Sequence, residues 1–455
     1  MTAQVNKTDI NFARWIALAF AVLLLGIGLL PRYAQAVPAF ARQTGQNCVA
    51  CHAGGQFPEL TPYGRMFKMT GYTIGERTIP VSVMGVVSSS RIANPPTPDP
   101  TAPTPPSKSV TPIFATGSLF LAGKITDNIG GFLQVTYDPY AFDNGDGTYS
   151  GHSNADNMDL RFANRIADTQ RDWVYGLSLN NNPSVSDPWN TSAAWMQYVP
   201  VPSPSSSAYI DGTTPFPGFG SGGNIAGLSA YVFWNQTVYA ELGTYRTASQ
   251  AVSFMSAGID DASKTKLNGS NNPYWRLAVS HEWGPNNIML GATGMTAHVF
   301  DPGSDTGDAA NLGSYHNTGI DMQYQYLLDP HSVTIQVAHM HQEQTYSDNV
   351  LAGAGLSSGL SDTINVSRAK VSYVYKAKYG GSLAAFNMSG TTNNQGDPGT
   401  TGITYEAFYI PVQNLRIGLQ YTTYGKYQGA TTNYDGNGRN ASDNNSLFLY
   451  AWFAY

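Results

Sequence analysis

The stretch Ile129–Asp138 (IGGFLQVTYD) alternates between two kinds of side chain. The apolar and aromatic set consists of Ile129, Leu133, Val135 and Tyr137, and the polar set of Gln134, Thr136 and Asp138. Successive side chains of a β-strand point to opposite faces of the sheet. The period of two therefore predicts a strand with one apolar face and one polar face.

The same pattern recurs from this stretch to the C-terminus, in segments separated by clusters of Gly, Asn, Asp, Pro and Ser. We predict sixteen strands, at residues 81–92, 112–124, 129–138, 157–166, 172–181, 225–234, 237–247, 273–283, 288–299, 314–327, 332–343, 363–378, 380–390, 401–410, 414–424 and 445–455. This number assigns Ser192–Val199, which also alternates, to a long loop or inner flap between residues 182 and 224.

The connections between these strands alternate in length. Long polar stretches such as 93–111 and 425–444 lie between short turns. The turns are predicted at residues 126–128, 235–236, 284–287, 329–330, 379 and 411–412. Bacterial outer-membrane barrels combine short periplasmic turns with long external loops, and an even strand number keeps both chain ends in the periplasm.

Composition separates a membrane barrel from a soluble β-sandwich, the main alternative. Charged residues make up 12% of the chain and aromatic residues another 12%, whereas about a quarter charged is usual for soluble domains. A sandwich displays charge on its outside, but a membrane barrel turns apolar side chains toward lipid. The predicted fold is therefore mainly β, a transmembrane outer-membrane β-barrel of about 16 antiparallel strands.

The last predicted strand supports the same interpretation. Its apolar face carries Leu447, Leu449, Ala451, Phe453 and the terminal Tyr455. An alternating strand that ends on an aromatic residue resembles the C-terminal insertion signal of bacterial outer-membrane proteins.

The segment Gln46–His52 (QNCVACH) contains the two cysteines of the chain. Cys48, Cys51 and His52 form Cys-x-x-Cys-His, the attachment signature of a c-type haem, in which two thiols bond to the porphyrin and the histidine ligates the iron. A short disulfide and a redox Cys-x-x-Cys are the alternatives. Neither accounts for the histidine, and the thioredoxin-like βαβ context is missing. The motif predicts one covalently attached haem c.

The start of the chain has the pattern of an export signal. Lys7 and Arg14 are followed by the apolar run Trp15–Leu30 and by a small-x-small cleavage site at Ala34–Ala36. A membrane anchor is the alternative, because the apolar run approaches the length of a short membrane span. We predict three parts: a signal peptide at 1–36, a monohaem cytochrome c segment at 37–80, and a porin-like barrel at 81–455.

Two stretches flank the haem motif, Pro38–Gly45 (PAFARQTG) and Phe57–Lys68 (FPELTPYGRMFK). With a barrel after them, they give a chain that resembles the fused monohaem cytochrome–porins of the bacterial outer membrane, known as Fe(II) oxidases of iron-oxidising bacteria. The resemblance is specific over Pro38–Tyr72 and architectural beyond it. It implies that Cys48 and Cys51 carry the thioethers and that His52 is the proximal iron ligand.

The motif does not fix the sixth iron ligand. Met66 and Met69 lie close downstream and are candidates, since a methionine ligand raises the haem potential. Ordinary packing in a small apolar core is the alternative role for each. A set of cations also alternates with apolar residues and is predicted to point inward, as partners of haem propionates or as an anion-selective lining. It consists of Arg161, Arg165, Arg276, Arg368, Lys370 and Arg416.

The haem segment spans 44 residues and is too short for a stable core of its own. Because a barrel of about 16 strands leaves an aqueous channel, we expect this segment to plug the lumen, or to lie on the periplasmic side of it.

The resemblance implies electron transfer across the outer membrane. Extracellular Fe(II) would be oxidised at a lumenal haem, and a periplasmic cytochrome or copper protein would accept the electron. The implied activity is of the Fe(II) oxidase type (iron:cytochrome c oxidoreductase). No nucleophile triad, paired carboxylates or phosphate loop predicts bond-making catalysis. The net charge of −6 gives no reason to expect a nucleic-acid partner, and outer-membrane lipid is the expected surrounding.

Three alternatives stay open at this point. The same conduit could run outward to an extracellular acceptor, because potentials set the direction and the sequence does not give them. The chain could be a diffusion porin with a haem-bearing plug. It could also be a secreted β-rich protein with an incidental Cys-x-x-Cys-His.

Overall fold

The computed structural model describes residues 39–55, 59–94, 112–144, 148–191, 225–256, 266–301, 304, 306–354, 359–392 and 396–455. The predicted signal peptide, most of the proline-rich stretch 94–106 and the alternating stretch Ser192–Val199 lie outside these residues. The described residues belong to one compact unit.

Sixteen strands form a closed antiparallel ring, and one short strand is added to it. The strands are β1 Val81–Ile92, β2 Ile113–Lys124, β3 Ile129–Asp143, β4 Tyr149–Ala167, β5 Asp172–Asn180, β6 Ile225–Trp234, β7 Val238–Thr247, β8 Lys266–Leu267, β9 Pro273–Trp283, β10 Asn286–Phe300, β11 Leu312–Leu328, β12 His331–Thr345, β13 Ser361–Tyr375, β14 Tyr379–Gly390, β15 Thr400–Val412, β16 Leu415–Lys426 and β17 Ser446–Ala454.

The first and last strands close the ring. Strand β1 pairs with β17 from Met84↔Ala454 to Ile92↔Ser446 and with β2 on its other side. The added strand β8 pairs with the end of β10, while β7 continues the ring directly to β9. Because a closed barrel has no unpaired strand edge, it satisfies the backbone hydrogen bonds that a lipid surrounding demands. The predicted sixteen-strand antiparallel barrel is confirmed.

The two faces of the strands differ as the alternation predicts. In β9, Leu277 and Val279 are each 54% exposed on the outer surface, while Arg276 and Ser280 point inward and are 3% and 4% exposed. The terminal strand β17 also has an apolar outer face, but its inner face is not polar. Its inward residues Phe448, Tyr450 and Trp452 are aromatic and buried. The lumen is therefore partly lined by aromatic rings, whereas the sequence predicted a polar lining.

Short connections of two to four residues join the strand pairs at one end of the barrel, which we call the short-turn end. Exposed aromatic side chains gather there, with Trp173 against Trp234 and Tyr379 against Tyr409 at ring-centroid distances of 6.1 and 5.1 Å. Aromatic girdles of this kind mark the membrane interfaces of outer-membrane barrels. Strand β1 begins at the same end, so the chain before it enters the barrel from the short turns.

Two predicted turns are displaced by about two residues. The β13–β14 turn is residues 376–378 rather than 379, and the β15–β16 turn is residues 413–414 rather than 411–412. The first displacement has a local cause, since Lys376 and Ala377 adopt φ values of +54° and +52°. Two successive positive φ values give the tight hairpin turn whose twist matches the strands, and neither residue is a glycine that would have revealed it.

The helices in the described residues are short. They are α1 Ala39–Thr44, α2 Cys48–Cys51, α3 Pro62–Met69, α4 Pro183–Ser186, α5 Ala248–Ala251 and α6 Asp348–Gly353. Within the described part of the chain, no helix has the length and apolar character needed to cross a membrane.

Candidate functional site

Residues 39–55 and 59–75, which we call the lumenal segment, contact inward-facing side chains on opposite sides of the barrel. On one side, Lys370 of β13 donates a hydrogen bond to Glu59, with an N–O distance of 2.5 Å. On the other side, the hydroxyl of Tyr72 donates to Asp159 of β4 at 2.6 Å. Strands β4 and β13 are eight strands apart in either direction around the ring of sixteen. These contacts reach across the full width of the lumen.

Helix α3 is bound to the wall through Arg65, which is 3% exposed. Its guanidinium donates to the main-chain oxygen of Leu60, and the carboxylate of Glu282 lies 3.8 Å away. It also donates to three side-chain amide oxygens at 3.0–3.2 Å, which belong to Asn287 of β10 and to Gln323 and Gln325 of β11. A buried cation is tolerated only when its N–H groups find acceptors. This cluster therefore fixes α3 against the wall.

The sequence around α3 defines both of its ends. Thr61 precedes the helix, accepts a hydrogen bond from the Gly64 amide, and is followed by Pro62 in the first turn. Threonine as N-cap and proline in the first turn are favoured at helix starts. At the other end, the amides of Gly71 (φ 73°) and Tyr72 bond back to carbonyls of the last turn. This is the Schellman arrangement, for which a glycine is the preferred residue.

Gln43 joins the two ends of the lumenal segment at the short-turn end of the barrel. Its Nε2 donates to the carbonyls of Tyr72 and Ile74 at 2.6 and 2.8 Å, and its Oε1 accepts from the amide of Lys124 at the end of β2. The same approach requires a glycine opposite, because a Cβ on Gly75 would lie 2.2 Å from the Gln43 carbonyl oxygen. The segment is thereby closed into a loop that is attached to the barrel rim.

The predicted haem-attachment residues lie on and directly after α2. Cys48 is buried, Cys51 and His52 are half-buried, and the two cysteines are not bonded to each other. The amide of His52 donates to the Cys48 carbonyl, so the helical turn continues to the histidine. This turn keeps both thiols and the imidazole within one short element. The donor set is the one that covalent haem c requires.

The thiols do not have the properties of a redox disulfide site. Burial raises the pKa of Cys51 to about 11, with the neighbouring Cys48 adding to the shift, and burial also raises the pKa of Cys48. Redox-active Cys-x-x-Cys sites depend on a lowered pKa, which supplies the thiolate at neutral pH. The residues present fit a haem attachment site better than a thiol–disulfide site.

The motif rests on α3 through a backbone contact. The amide of Thr61 donates to the Cys51 carbonyl at 2.9 Å. A Cβ added to Gly64 would lie 2.2 Å from that same Cys51 oxygen, so only glycine allows the two elements to approach this closely. The position of the motif in the barrel is therefore set by α3.

The two candidate sixth ligands lie on another side of α3. At 100° per residue, Met66 and Met69 point roughly 140–160° away from Gly64, the residue that touches the motif. Met69 is 1% exposed and packs with Trp189 and with wall residues such as Phe233, and Met66 packs against the same cluster. The structure does not bring either sulfur toward the motif side of the helix. Iron ligation by Met66 or Met69 therefore stays a prediction from the sequence, one that the packing of the two side chains does not favour.

Most of the predicted inward cations have a carboxylate partner within the protein. Arg165 lies at the short-turn end, where it lines the mouth of the lumen with Arg65 and Met66 and pairs with Asp172. The lumenal pairs are Arg161–Asp159 at 2.6 Å, Arg276–Asp321 at 2.8 Å, Lys370–Glu59 at 2.5 Å and Arg416–Glu406 at 2.6 Å. The sequence analysis named the cations but missed these carboxylates, because acidic residues at alternating positions have the pattern of any polar lumenal face.

The sequence analysis expected a long loop or inner flap between residues 182 and 224, but it did not identify the residues that fold into the lumen after β5. Residues Asn181–Thr191, which we call the inner loop, place Trp189 at 1% exposure against α3. A tryptophan between Asp187-Pro188 and a run of small polar residues was the available signal, since a large aromatic side chain seldom stays exposed in a polar loop. Among the described residues, no group of three or more His, Cys, Asp or Glu side chains is gathered as a metal site.

Comparisons with known proteins give likenesses of fold alone. No family model matches the chain, and no curated protein matches it. A loop-deletion mutant of the outer-membrane protein OmpT of Vibrio cholerae is 12% identical at a TM-score of 0.41, covering 82% of this chain and 99% of that one. The outer-membrane channel DcaP of Acinetobacter baumannii is 11% identical at a TM-score of 0.44, covering 82% and 96%.

An anion-selective porin of Comamonas acidovorans is 10% identical at a TM-score of 0.41, covering 82% of this chain and 99% of that one. We draw no functional inference from these likenesses. The ring of strand pairings establishes the barrel independently.

Proposed function

We propose that this protein transfers electrons across the bacterial outer membrane. Extracellular Fe(II) gives up one electron at a c-type haem in the barrel, and a periplasmic cytochrome or copper protein accepts it. Cys48 and Cys51 hold the porphyrin covalently and His52 ligates the iron. The observation that carries the proposal is a Cys-x-x-Cys-His motif on a segment that crosses the lumen of a closed β-barrel.

The outer surface of the barrel supports the membrane location. Large apolar side chains such as Leu242 (66% exposed) and Ile320 (63% exposed) cover it, and a girdle of aromatic residues follows the short turns. In water, a surface this apolar would drive association. In an outer membrane it matches the apolar band of the bilayer, with the short turns on the periplasmic side.

The position of the motif suits exchange with a periplasmic partner. The segment enters the barrel from the short-turn end, and Gln46, Asn47 and Val49 around the first cysteine are exposed. Cys48 and Cys51 would hold the haem at this end of the segment, where it would supply a one-electron centre. An electron cannot cross the apolar band of the bilayer, which is about 25 Å thick. A redox centre enclosed in the barrel would shorten the distance that the electron has to cross.

Two rivals from the sequence analysis remain to be compared with the proposal. An outward conduit uses the same site, and its direction depends on potentials. A diffusion porin with a haem-bearing plug is less compatible with the contacts of the lumenal segment, which join β13 to β4 across the lumen. A porin constriction narrows its channel, whereas a segment bonded to opposite walls obstructs it.

The test is stopped-flow haem absorbance on detergent-purified full-length protein. The oxidised protein is mixed with Fe(II) at acid and at near-neutral pH, and dithionite serves as the reference reductant. We expect Fe(II) to produce the reduced c-type spectrum within the mixing experiment. A haem that dithionite reduces and Fe(II) leaves oxidised would contradict the iron reaction. A purified protein without haem would contradict the proposal as a whole.

A further inference from the structure

The inner loop is bound between the lumenal segment and the barrel wall by the side chain of Trp189. The centroid of its ring lies 6.0 Å from the guanidinium of Arg65 on α3 and 5.7 Å from that of Arg276 on β9. Its ring also meets Tyr239 edge to face at 5.5 Å. An aromatic ring between two buried guanidinium groups gains cation–π attraction on both contacts. Trp189 thus connects α3, the helix on which the motif rests, with the wall.

Polar contacts bind the inner loop to α3 beside the tryptophan. The ammonium of Lys68 donates to the Asp187 carbonyl at 2.8 Å and to the side chain of Asn190 at 3.2 Å. The carboxylate of Asp187 pairs with Arg276 at 3.1 Å. Lys68 is 6% exposed and Asp187 is 3% exposed, so water does not compete for these bonds.

The wall holds the loop at two further points. Arg161 of β4 donates to the Ser186 carbonyl at 2.6 Å, and Gln323 of β11 donates to the Trp189 carbonyl at 3.2 Å. These strands approach the loop from different parts of the ring. Together with Arg65 and Lys68, they make a joint of protein side chains among the inner loop, α3 and the wall.

We infer that this joint, centred on Trp189, locks α3 in the lumen and closes the barrel to ions and solutes, and that the closure does not require the haem. Arg65, Lys68, Arg161, Arg276 and Gln323 form the joint with the inner loop, and none of them is a predicted haem-attachment residue. The inference goes beyond the proposed function, because it describes a sealed barrel that moves no solute whether or not an electron crosses it.

The indole acts as a packing and cation–π group in this joint. Its Nε1 has no hydrogen-bond partner among the described residues. A phenylalanine keeps a ring face for the two guanidinium groups and loses no hydrogen bond, so it should preserve the joint. An alanine removes the ring and leaves a cavity between two buried cations that no longer share an aromatic neighbour.

The experiment measures ionic conductance of the full-length protein in planar lipid bilayers. Five forms are compared: wild type, the haem-free double variant Cys48→Ala/Cys51→Ala, Trp189→Ala, Trp189→Phe, and Trp173→Ala as a matched control on the outer surface. We expect wild type, the haem-free form, Trp189→Phe and Trp173→Ala to pass little current. We expect Trp189→Ala to gain conductance on the order of tenfold, because an unfilled 16-strand barrel leaves an aqueous channel.

Three outcomes would overturn the inference: a leaking haem-free form beside a closed wild type, a folded Trp189→Ala protein that stays closed, or an equal gain in Trp173→Ala. Barrel folding is checked in each form by its mobility on gels before and after heating. Where Trp189→Ala does not fold, Lys68→Met carries the same expectation, since it removes the donor to Asp187 and Asn190 at nearly constant volume. Haem content measured on the same samples tests the proposed function separately.

Discussion

The two helices of the lumenal segment that flank His52 are held in different ways. In α2, Val49 is 41% exposed, and the main-chain hydrogen bonds from its residues go to neighbours within the lumenal segment. In α3, Arg65, Phe67 and Met69 are 3%, 4% and 1% exposed, and Arg65 reaches two strands of the wall. The haem-binding groups and the anchoring groups therefore lie on different helices. The motif carries the donor groups, and α3 determines where they stand.

The largest effect is expected when the motif itself is removed. The double variant Cys48→Ala/Cys51→Ala should lose all covalently bound haem, because both thioether sulfurs are gone, while the barrel folds normally. Haem retained on the denatured chain and heat-dependent gel mobility measure the two properties. Val49→Ala, between the two cysteines, is the matched control and should keep full haem. Loss of the barrel in the double variant would show that the motif also anchors the segment.

Removal of the Arg65 side chain should loosen the segment without removing its haem ligands. Arg65→Met leaves the amide oxygens of the wall without their donor in a buried site, which costs on the order of 3–5 kcal/mol of local stability. Hydrogen exchange of residues 59–75 should accelerate, since the segment then opens locally. The matched control is Arg171→Met, whose side chain is exposed and pairs with Asp168 in a turn. If hydrogen exchange of residues 59–75 is unchanged in Arg65→Met, Arg65 is not the residue that anchors α3 to the wall.

A smaller effect is expected where the two helices meet. Gly64→Ala places a Cβ 2.2 Å from the Cys51 carbonyl oxygen, and an overlap of this size costs about 1–3 kcal/mol. Since the motif must move away from α3, we expect faster hydrogen exchange at residues 48–52 with α3 itself unchanged. Gly353→Ala in α6 meets nothing within 4 Å and is the control. Equal exchange in both variants would mean that the motif is not seated on α3.

Much of the barrel could be predicted from the sequence because the alternation of apolar and polar residues within each strand shows which side chains face lipid and which face the lumen. All sixteen predicted strand positions are occupied, and the largest boundary error is β4, predicted at 157–166 and observed at Tyr149–Ala167. The missing residues, Tyr149–Asp156, are mostly small and polar, so they show no alternation of apolar and polar side chains. Alternation arises where one face is apolar, and this part of β4 has no apolar face to reveal it.

The interior could be predicted only in part, for a different physical reason. The motif residues are adjacent in sequence, and their spacing alone indicates haem attachment. The partners that hold them are not, since Glu59 and Lys370 or Trp189 and Arg65 meet only after the ring has closed. No local pattern encodes which lumenal carboxylate meets which cation. The residues by which the inner loop binds α3 and the wall were not identified, because those contacts are of this long-range kind.

The smallest effect is expected at the two methionines of α3, which test directly whether α3 only anchors the segment. Met66→Leu and Met69→Leu change little volume, so each should cost less than about 1.5 kcal/mol of stability. Both side chains pack toward the wall, away from the side of α3 that touches the motif. We therefore expect the visible haem spectrum and the midpoint potential of both variants to equal those of wild type. If either methionine is the sixth ligand, its replacement removes the thioether, lowers the potential and changes the ferric spectrum. That result would mean that α3 supplies a ligand as well as an anchor, and the separation of chemistry from anchoring would fail at that residue.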